Sequence, residues 1–456
     1  MDNIGELSFL NGIKNVFFIG IGGISMSSLA FITHENGFEV SGSDRNESEM
    51  TQKLRNAGIK VYIGHSEENV KNAEMIVYTA AIPNDNPELV YAKKNGIRLV
   101  YRADYLGEIM KNYSTKIGVA GMHGKSTVTG MISHVFLENG KDPTVLNGAN
   151  TAELHGAYRI GGKDNFIFEA CEYKDSFLSF YPDIAVLLNL EMDHPDYFKS
   201  LEQIKDSFKK YLAKAKICIY GIENENLREV VSTFGGEIHS FGKNCKNAEF
   251  NAVNISSDSN GFPVFDVERN GEKICSVSLS IPGEHNISNA VCTLAAAVIN
   301  GISPADAADS LHTFKGIERR NEFKGIKNGV FVYDDYAHHP SEVKASLDGL
   351  KKICKGKLIC VYQPHTYSRT AELFSDFCTA FDTADKVIFA DIYAAREKNT
   401  FGISSKDIAD RITGAEYYDS FEKIVERLNA VAQKNDLVVS MGAGDVFKVH
   451  RLFLEN

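Results

Sequence analysis

Short aliphatic and β-branched runs alternate along this 456-residue chain with stretches whose apolar residues recur every three or four positions. Apolar runs of four to six residues bounded by Gly, Asn, Asp or Ser read as strands buried on both faces, and the stretches between them as helices. The alternation predicts α/β domains built on parallel sheets. A first block reads strand Val16–Ile19, a glycine turn, helix Met26–Glu35, strand Glu39–Ser41, a helix and strand Lys60–Ile63, continuing through Met75–Thr79 to about Lys111. The polar segment Lys111–Thr115 reads as a linker. A second block has strands Lys116–Ala120, Asn165–Phe168, Ile184–Leu188 and Ile217–Tyr220. Between Phe250 and Ser280, short alternating runs broken by Ser-Asn-Gly and Arg-Asn-Gly predict antiparallel hairpins, and a helix follows over Ile287–Ile299. A third block starts near Ile326, with strands Val330–Tyr333, Leu358–Tyr362, Lys386–Phe389 and Leu437–Ser440. The expected architecture is three α/β domains over residues 1–112, 113–325 and 326–456: a Rossmann-like domain, a central P-loop-type ATPase sheet with an antiparallel β addition, and a second Rossmann-like domain.

Composition narrows the partners. Hydrophobic residues make up 43% and charged residues 24%, as in soluble globular proteins, and the net charge of −11 argues against a nucleic-acid backbone or an anionic membrane. Small-molecule partners are expected, since a local cluster of donors can hold phosphate inside an acidic protein. The opening MDNIGELSFL lacks the basic and apolar regions of a secretory signal, and the eight cysteines form no Cys-x-x-Cys pair. A reduced, cytoplasmic setting is expected.

The candidate chemistry lies where strands end. Strand Lys116–Ala120 runs through Gly121-Met122-His123-Gly124-Lys125-Ser126 into a helix, which points backbone N–H groups at a phosphate. Lys125 suits the β- and γ-phosphates and the Ser126 hydroxyl suits Mg²⁺. Val119 stands where the first glycine of the usual phosphate loop belongs, with Gly118 one residue earlier. In the first block Gly20-Ile21-Gly22-Gly23-Ile24-Ser25 follows a strand, with Asp44 at ribose-binding distance in sequence. Ser25 replaces the third glycine of the dinucleotide fingerprint, so the loop fits either a nicotinamide or flavin dinucleotide or the diphosphate of another nucleotide. Glu169-Ala170-Cys171-Glu172 and Asp193-His194 follow strands, where a carboxylate and a histidine could hold a metal beside ATP; a lone histidine is as often structural. His285, Asn286 and Asn289 suit an adenine or, equally, a helix cap. Arg319-Arg320 suits a transferring phosphoryl group or is a solvated charge pair. Asp334-Asp335-Tyr336-Ala337-His338-His339 and Gln363-Pro364-His365-Thr366-Tyr367-Ser368-Arg369 end two further strands, with groups for an amino acid's amine and carboxylate. The turn Met441–Asp445 is a third such strand end.

The ordered set GIGGISMS, GSD, YTAAI, GMHGKS, EACE, EMDH, GEHNISN, RR, DDYAHHP, QPHTYSRT and GAGD resembles the muramyl ligases of peptidoglycan synthesis, over nearly the whole chain. The resemblance implies ATP-dependent ligation of L-alanine to the lactyl carboxylate of UDP-N-acetylmuramate through an acyl phosphate, with ATP and two Mg²⁺ ions. A sister activity, adding another amino acid or a recycled peptide, is the alternative. It implies that Gly20, Gly22, Gly23, Ile24, Ser25, Ser43, Asp44, Thr79 and Ala80 contact the UDP-sugar, and that Gly121, His123, Gly124, Lys125, Ser126, Thr127, His285, Asn286, Asn289 and Arg320 contact ATP. Ser126, Glu169 and His194 would serve the metal, and Tyr336, His338 and Arg369 would hold L-alanine. Lys125, Arg320, Asp335 and His338 would be catalytic. Met122, Cys171 and Thr366 depart from the commonest forms of their motifs.

Overall fold

A computed structural model describes residues 8–10, 12–151, 154, 156–194, 197–395 and 397–455. The first sheet contains β1 (Asn15–Ile19), β2 (Glu39–Asp44), β3 (Lys60–Ile63), β4 (Met75–Tyr78) and β5 (Arg98–Tyr101), all parallel, in the order β3-β2-β1-β4-β5. Its apolar runs are continuous because both faces are covered. Val16 and Phe18 enter one hydrophobic cluster, whereas Phe17 and Ile19, one residue out of phase, enter another. Each fully buried Phe contributes about 1.5–3 kcal/mol of transfer free energy. The strand order reverses at β1, so the carboxyl end of β1 opens a crevice, and the loop beginning at Gly20 occupies it.

The second sheet follows the same logic. Strands β6 (Thr115–Ala120), β7 (Thr144–Thr151), β8 (Gly156–Arg159), β9 (Asn165–Glu169), β10 (Ile184–Leu187), β11 (Ile217–Gly221) and β12 (Glu237–Lys243) lie in the order β12-β11-β10-β6-β9-β7-β8. All neighbours are parallel except β7 with β8. Strand β6 sits between β9 and β10, so the loop after β6 is flanked by the carboxyl ends of both. From β12 the chain continues into three antiparallel strands, β13 (Phe250–Ser257), β14 (Pro263–Arg269) and β15 (Glu272–Ser278), and then the helix His285–Ile299.

The third sheet holds β16 (Glu322–Lys327), β17 (Val330–Asp335), β18 (Leu358–Tyr362), β19 (Lys386–Phe389), β20 (Glu416–Tyr417) and β21 (Leu437–Met441), ordered β16-β17-β21-β18-β19-β20. Only β16 is antiparallel to its neighbour. Strand β16 begins before residue 326, so this sheet takes in residues ahead of the expected third block. By packing, the chain divides into two compact units. One runs through Phe241 and includes Ala295–Ile302; the other comprises Gly242–Leu294 and the chain from Ser303 onward. All eight cysteines are free, and among the described residues no helix is long and apolar enough to cross a membrane.

Candidate functional site

In the first unit, β6 delivers the loop Gly121–Gly124 into the helix Lys125–Glu138, with Gly124 as the N-cap and no side-chain cap on the first turn. The orphan N–H groups of that turn are the donors a phosphate uses. Asn189, just beyond β10, braces the loop: its Oδ1 accepts from His123 N–H at 2.8 Å and its Nδ2 donates to the His123 carbonyl at 3.0 Å. The His123 ring pairs with Glu191. Thr127 is buried in the first helical turn.

Lys125 curls over its own loop, its Nζ donating to the Gly121 carbonyl at 2.7 Å and lying 3.0 Å from Glu172 Oε2. Burial would lower the ammonium's pKa, but Glu172, with Cys171 and Glu169, reverses the effect and raises it. The Glu172 carboxyl mirrors this: burial would raise it, while Lys125 and a hydrogen bond with His194 bring it below the ordinary range. His194 Nε2 is 3.1 Å from Glu172 Oε1. Ser126 Oγ donates to Glu169 Oε2 at 2.7 Å, and the same oxygen accepts from Gly148 N–H at 3.0 Å. The structure therefore brings Ser126 together with Glu169 and adds Glu172, which links Lys125 to His194. Cys171 between the two acids has its thiol pushed up to about 11 by burial and Glu172, against the pull of Lys125, so it is a neutral thiol rather than a nucleophile.

A divalent cation suits this donor set. Ser126 Oγ and the Glu169 and Glu172 carboxylates are hard oxygens with an imidazole beside them. A Cβ on Gly148 would stand 2.3 Å from Glu169 Oε2, so the backbone is drawn in against that carboxylate and fixes it.

The first-sheet loop is tied internally. Gly20 and Ile21 donate to the Ser43 carbonyl at 2.7 and 2.9 Å, and Gly22 N–H donates to Asp44 Oδ2 at 2.9 Å. Asp44 thus shapes the loop. Gly23 is the N-cap of the helix Ile24–Glu35, again without a side-chain cap. The Ser43 hydroxyl turns into a buried network, donating to Glu88 Oε2 at 2.7 Å and lying 3.0 Å from His65 Nδ1. Thr79 and Ala80 follow β4, where Thr79 Oγ1 accepts from Ala81 N–H at 3.2 Å.

In the second unit, the ends of β17, β21 and β18 are adjacent. Asp335 is buried and accepts from Asn321 N–H at 2.6 Å and Ala337 N–H at 2.7 Å. Burial nevertheless raises its carboxyl to about 6, against the lowering by Arg320. Arg320 lies 3.8 Å from Glu342 and stacks over Tyr336, with its guanidinium carbon 5.4 Å from the ring centre. Burial brings His338 down to about 4, and His365 likewise, so both imidazoles are neutral at pH 7. The two rings are 5.9 Å apart, and Arg369 Nη1 lies 3.3 Å from His365 Nδ1. Thr366 holds the left-handed φ of 67° at the start of the helix Tyr367–Glu372, a strained state for a β-branched residue of the kind found at ligand sites. Arg319 is structural in its contacts, binding Asp334 Oδ2 at 2.9 Å and the Gly442 carbonyl at 2.7 Å. Asn286 donates to the Pro282 carbonyl at 2.7 Å and accepts from Asn289 at 2.9 Å, so its amide serves the helix start; His285 stands exposed beside it.

Three family models match in sequence: the Mur ligase family catalytic domain over residues 15–114, the Mur ligase middle domain over 119–297, and the Mur ligase glutamate ligase domain over 319–444. A UDP-N-acetylmuramate–L-alanine ligase of Clostridium acetobutylicum is 46% identical over 448 residues, 97% of each chain. The chain belongs to the Mur ligase family. Among solved structures, a UDP-N-acetylmuramate–alanine ligase from Thermotoga maritima superposes with a TM-score of 0.84 at 28% identity, over 97% of this chain and 98% of that one. A murein peptide ligase from Psychrobacter arcticus gives 0.72 at 25% identity over the same shares. The three-domain α/β architecture expected from the sequence is that of the Mur ligases.

Sequence reading passed over several residues now at these sites. Glu172 was visible in the Glu169–Glu172 motif and received no role. Asn189 and Glu342 carry no ligand motif: one braces a loop 66 residues away, and the other, in the first turn of the helix Pro340–Ile353, faces Arg320, which the fold brings to it.

Proposed function

We propose that the chain joins L-alanine to the lactyl carboxylate of UDP-N-acetylmuramate with ATP, in the cytoplasmic assembly of peptidoglycan precursors. The observation that carries the ATP chemistry is the uncapped loop bearing Lys125 and Ser126 between the acids Glu169 and Glu172. The choice of sugar and amino acid is supported by the 46% identity over 97% of both chains with an L-alanine ligase, and by the lower TM-score of the peptide-adding relative. In this reading residues 1–112 hold the UDP-sugar, 113–325 ATP and 326–456 the amino acid.

The chemistry needs no enzyme nucleophile. A lactyl carboxylate oxygen attacks the γ-phosphorus, the bond to the ADP oxygen breaks, and an acyl phosphate forms. The neutral amine of alanine then attacks the acyl carbon, loses a proton, and inorganic phosphate leaves. Two anions meet in the first step, so electrostatic stabilisation is the main task. Lys125 is the cation for the γ-phosphate. Ser126, Glu169 and His194 would hold Mg²⁺, which when bound neutralises phosphate charge. In the second unit Arg320 suits an anionic oxygen, Asp335 and the neutral His338 suit the alanine amine, Tyr336 walls the pocket, and Arg369 suits the alanine carboxylate.

The decisive experiment measures ADP formation by the full chain with each substrate omitted in turn, across a panel of amino acids and one muramyl peptide. ADP formation that requires both UDP-N-acetylmuramate and L-alanine is expected. Turnover with the peptide but not the amino acid would replace this reading with the sister activity, and turnover without the UDP-sugar would sink it. Glu169→Gln is expected to raise the Mg²⁺ concentration for half-maximal rate by at least ~10-fold; an unchanged Mg²⁺ profile would remove Glu169 from the metal's ligands.

A further inference from the structure

Among the described residues, only two arginines are half-buried with no carboxylate within 4.0 Å: Arg369 and Arg102. The sequence motifs single out Arg369; nothing in them singles out Arg102. A guanidinium cannot discharge itself, so one withdrawn from water without an anion is a cost that a ligand can relieve. Arg102 is the first residue of the helix Arg102–Met110, and its Nη1 donates to Ser25 Oγ at 2.8 Å. Ser25 lies in the first turn of the helix Ile24–Glu35. Two helix N-termini, both without a side-chain cap, therefore converge on one guanidinium, each adding positive potential and unfilled N–H donors. The helix Arg102–Met110 is held independently of Arg102: Ser179 Oγ donates to Asp104 Oδ1 at 2.6 Å, and Gly107 packs so closely that a Cβ would stand 2.1 Å from the Ser179 carbonyl. The helix thus fixes the backbone of Arg102, and the Ser25 hydroxyl holds its guanidinium.

We infer that Arg102 is a substrate-contacting residue that binds an anionic group of the UDP-sugar, reaching Ser25 at the end of the Gly20–Ser25 loop from the helix Arg102–Met110. This rests on the function proposed above and adds to it a residue that no motif supplies. The diphosphate is the favoured group, because Ser25 belongs to the loop on which a diphosphate would sit; the lactyl carboxylate is the other anion the same substrate carries. Burial lowers the Arg102 guanidinium from its ordinary value, only partly opposed by Cys171 and Tyr101, as for a cation whose counter-ion comes from outside the chain. Ser25 itself gains a reason. In place of the fingerprint's third glycine, its hydroxyl orients the arginine.

The test uses the full chain with Arg102→Met and Arg102→Lys, titrated calorimetrically with UDP, with UDP-N-acetylmuramate and with ADP, alongside melting of the ligand-free proteins. Arg102→Met is expected to weaken UDP-N-acetylmuramate by roughly 10- to 100-fold, the effect of one charge-assisted hydrogen-bonding group, while ADP affinity stays unchanged. Arg102→Lys should restore part of the loss. A matching loss for UDP alone places the guanidinium on the diphosphate; a loss confined to UDP-N-acetylmuramate places it on the carboxylate. The ligand-free melting temperature of Arg102→Met should equal or exceed that of the wild type, since an uncompensated charge is removed. A structural tie would instead lower it and leave affinity untouched, and that pair of results overturns the inference. Failure of the wild-type chain to bind either UDP ligand would overturn the function proposed above as well, so the two failures are distinguishable.

Discussion

Lys125 and Glu172 form a buried ion pair, with Nζ 3.0 Å from Oε2, the carboxylate side chain fully inaccessible and the lysine 13% exposed. Removing one partner of such a pair leaves the other charge without compensation, at about 3–5 kcal/mol. Glu172→Ala is therefore expected to destabilise the ligand-free protein strongly in chemical denaturation, and Glu172→Ala/Lys125→Ala by less than the sum of the single losses, with a coupling on the order of 0.5–3 kcal/mol. Additive losses would mean that the pair is not coupled. In turnover, Lys125→Ala should lower kcat by about 10²–10³ while UDP-sugar affinity stays nearly unchanged.

Gly148 makes a test that touches no reacting group. Its missing Cβ leaves room for Glu169, whose Oε2 would lie 2.3 Å from that atom. Gly148→Ala must push the Glu169 carboxylate off Ser126 by an ångström or more, a displacement that commonly costs ~10²-fold in rate. Steady-state kinetics should show that loss with a rise in the Mg²⁺ requirement. Wild-type kinetics in Gly148→Ala would mean that Glu169 is not held in a working position by this backbone.

The second unit predicts opposing pH effects. His338 and His365 each have a folded value of about 4, below the unfolded value of about 6.5. Between those values the unfolded chain binds the extra proton, so both histidines make the protein less stable as the solution is acidified from about pH 6.5 to 4. Asp335, with a folded value of about 6 above an unfolded value of about 3.9, holds its proton longer when folded, and so offsets one histidine across much of the same interval. His365→Gln should flatten the fall in unfolding free energy over that window by up to about 3 kcal/mol. Denaturant melts at half-unit pH steps check this, and an unaltered slope would mean that His365 titrates like a free imidazole.

Arg369 has no carboxylate partner and lies against a neutral imidazole, an arrangement ready for an incoming carboxylate. Arg369→Ala is expected to raise the KM for L-alanine by roughly 10- to 100-fold with little change in the KM for the UDP-sugar. Initial rates at varied alanine separate the two. Equal rises in both constants would assign Arg369 to the general integrity of the fold.

The amino-acid pattern alone determined the α/β class, most of the strands and the phosphate loop, because each is a local matter. An apolar run with both faces buried is continuous wherever it occurs, and a strand–glycine–helix junction presents its N–H groups whatever surrounds it. Shorter or more polar strands such as β7, β8 and β12 escaped, since their stability comes from neighbours rather than from their own residues. Gly118 lies within β6, inside the strand expected from the sequence, and a Cβ there would stand 2.2 Å from Tyr211 Oη, so a helix packed on the strand explains this glycine.

What only the tertiary structure decided is which charges are compensated. Lys125 and Glu172 are 47 residues apart, and only the parallel pairing of β6 with β9 brings the two strand ends that carry them together. Arg102, in a segment with no motif, has no carboxylate within 4.0 Å, a property that exists only in the folded chain. Ser43 and Asp44, expected to contact the UDP-sugar, also hold partners within the chain: the Ser43 hydroxyl donates to Glu88, and the Asp44 carboxylate accepts from Gly22 N–H. A residue type announces what it can bind. Whether that capacity is already filled depends on groups tens of residues away, and burial, which sets the strength of each interaction, exists only in the folded chain.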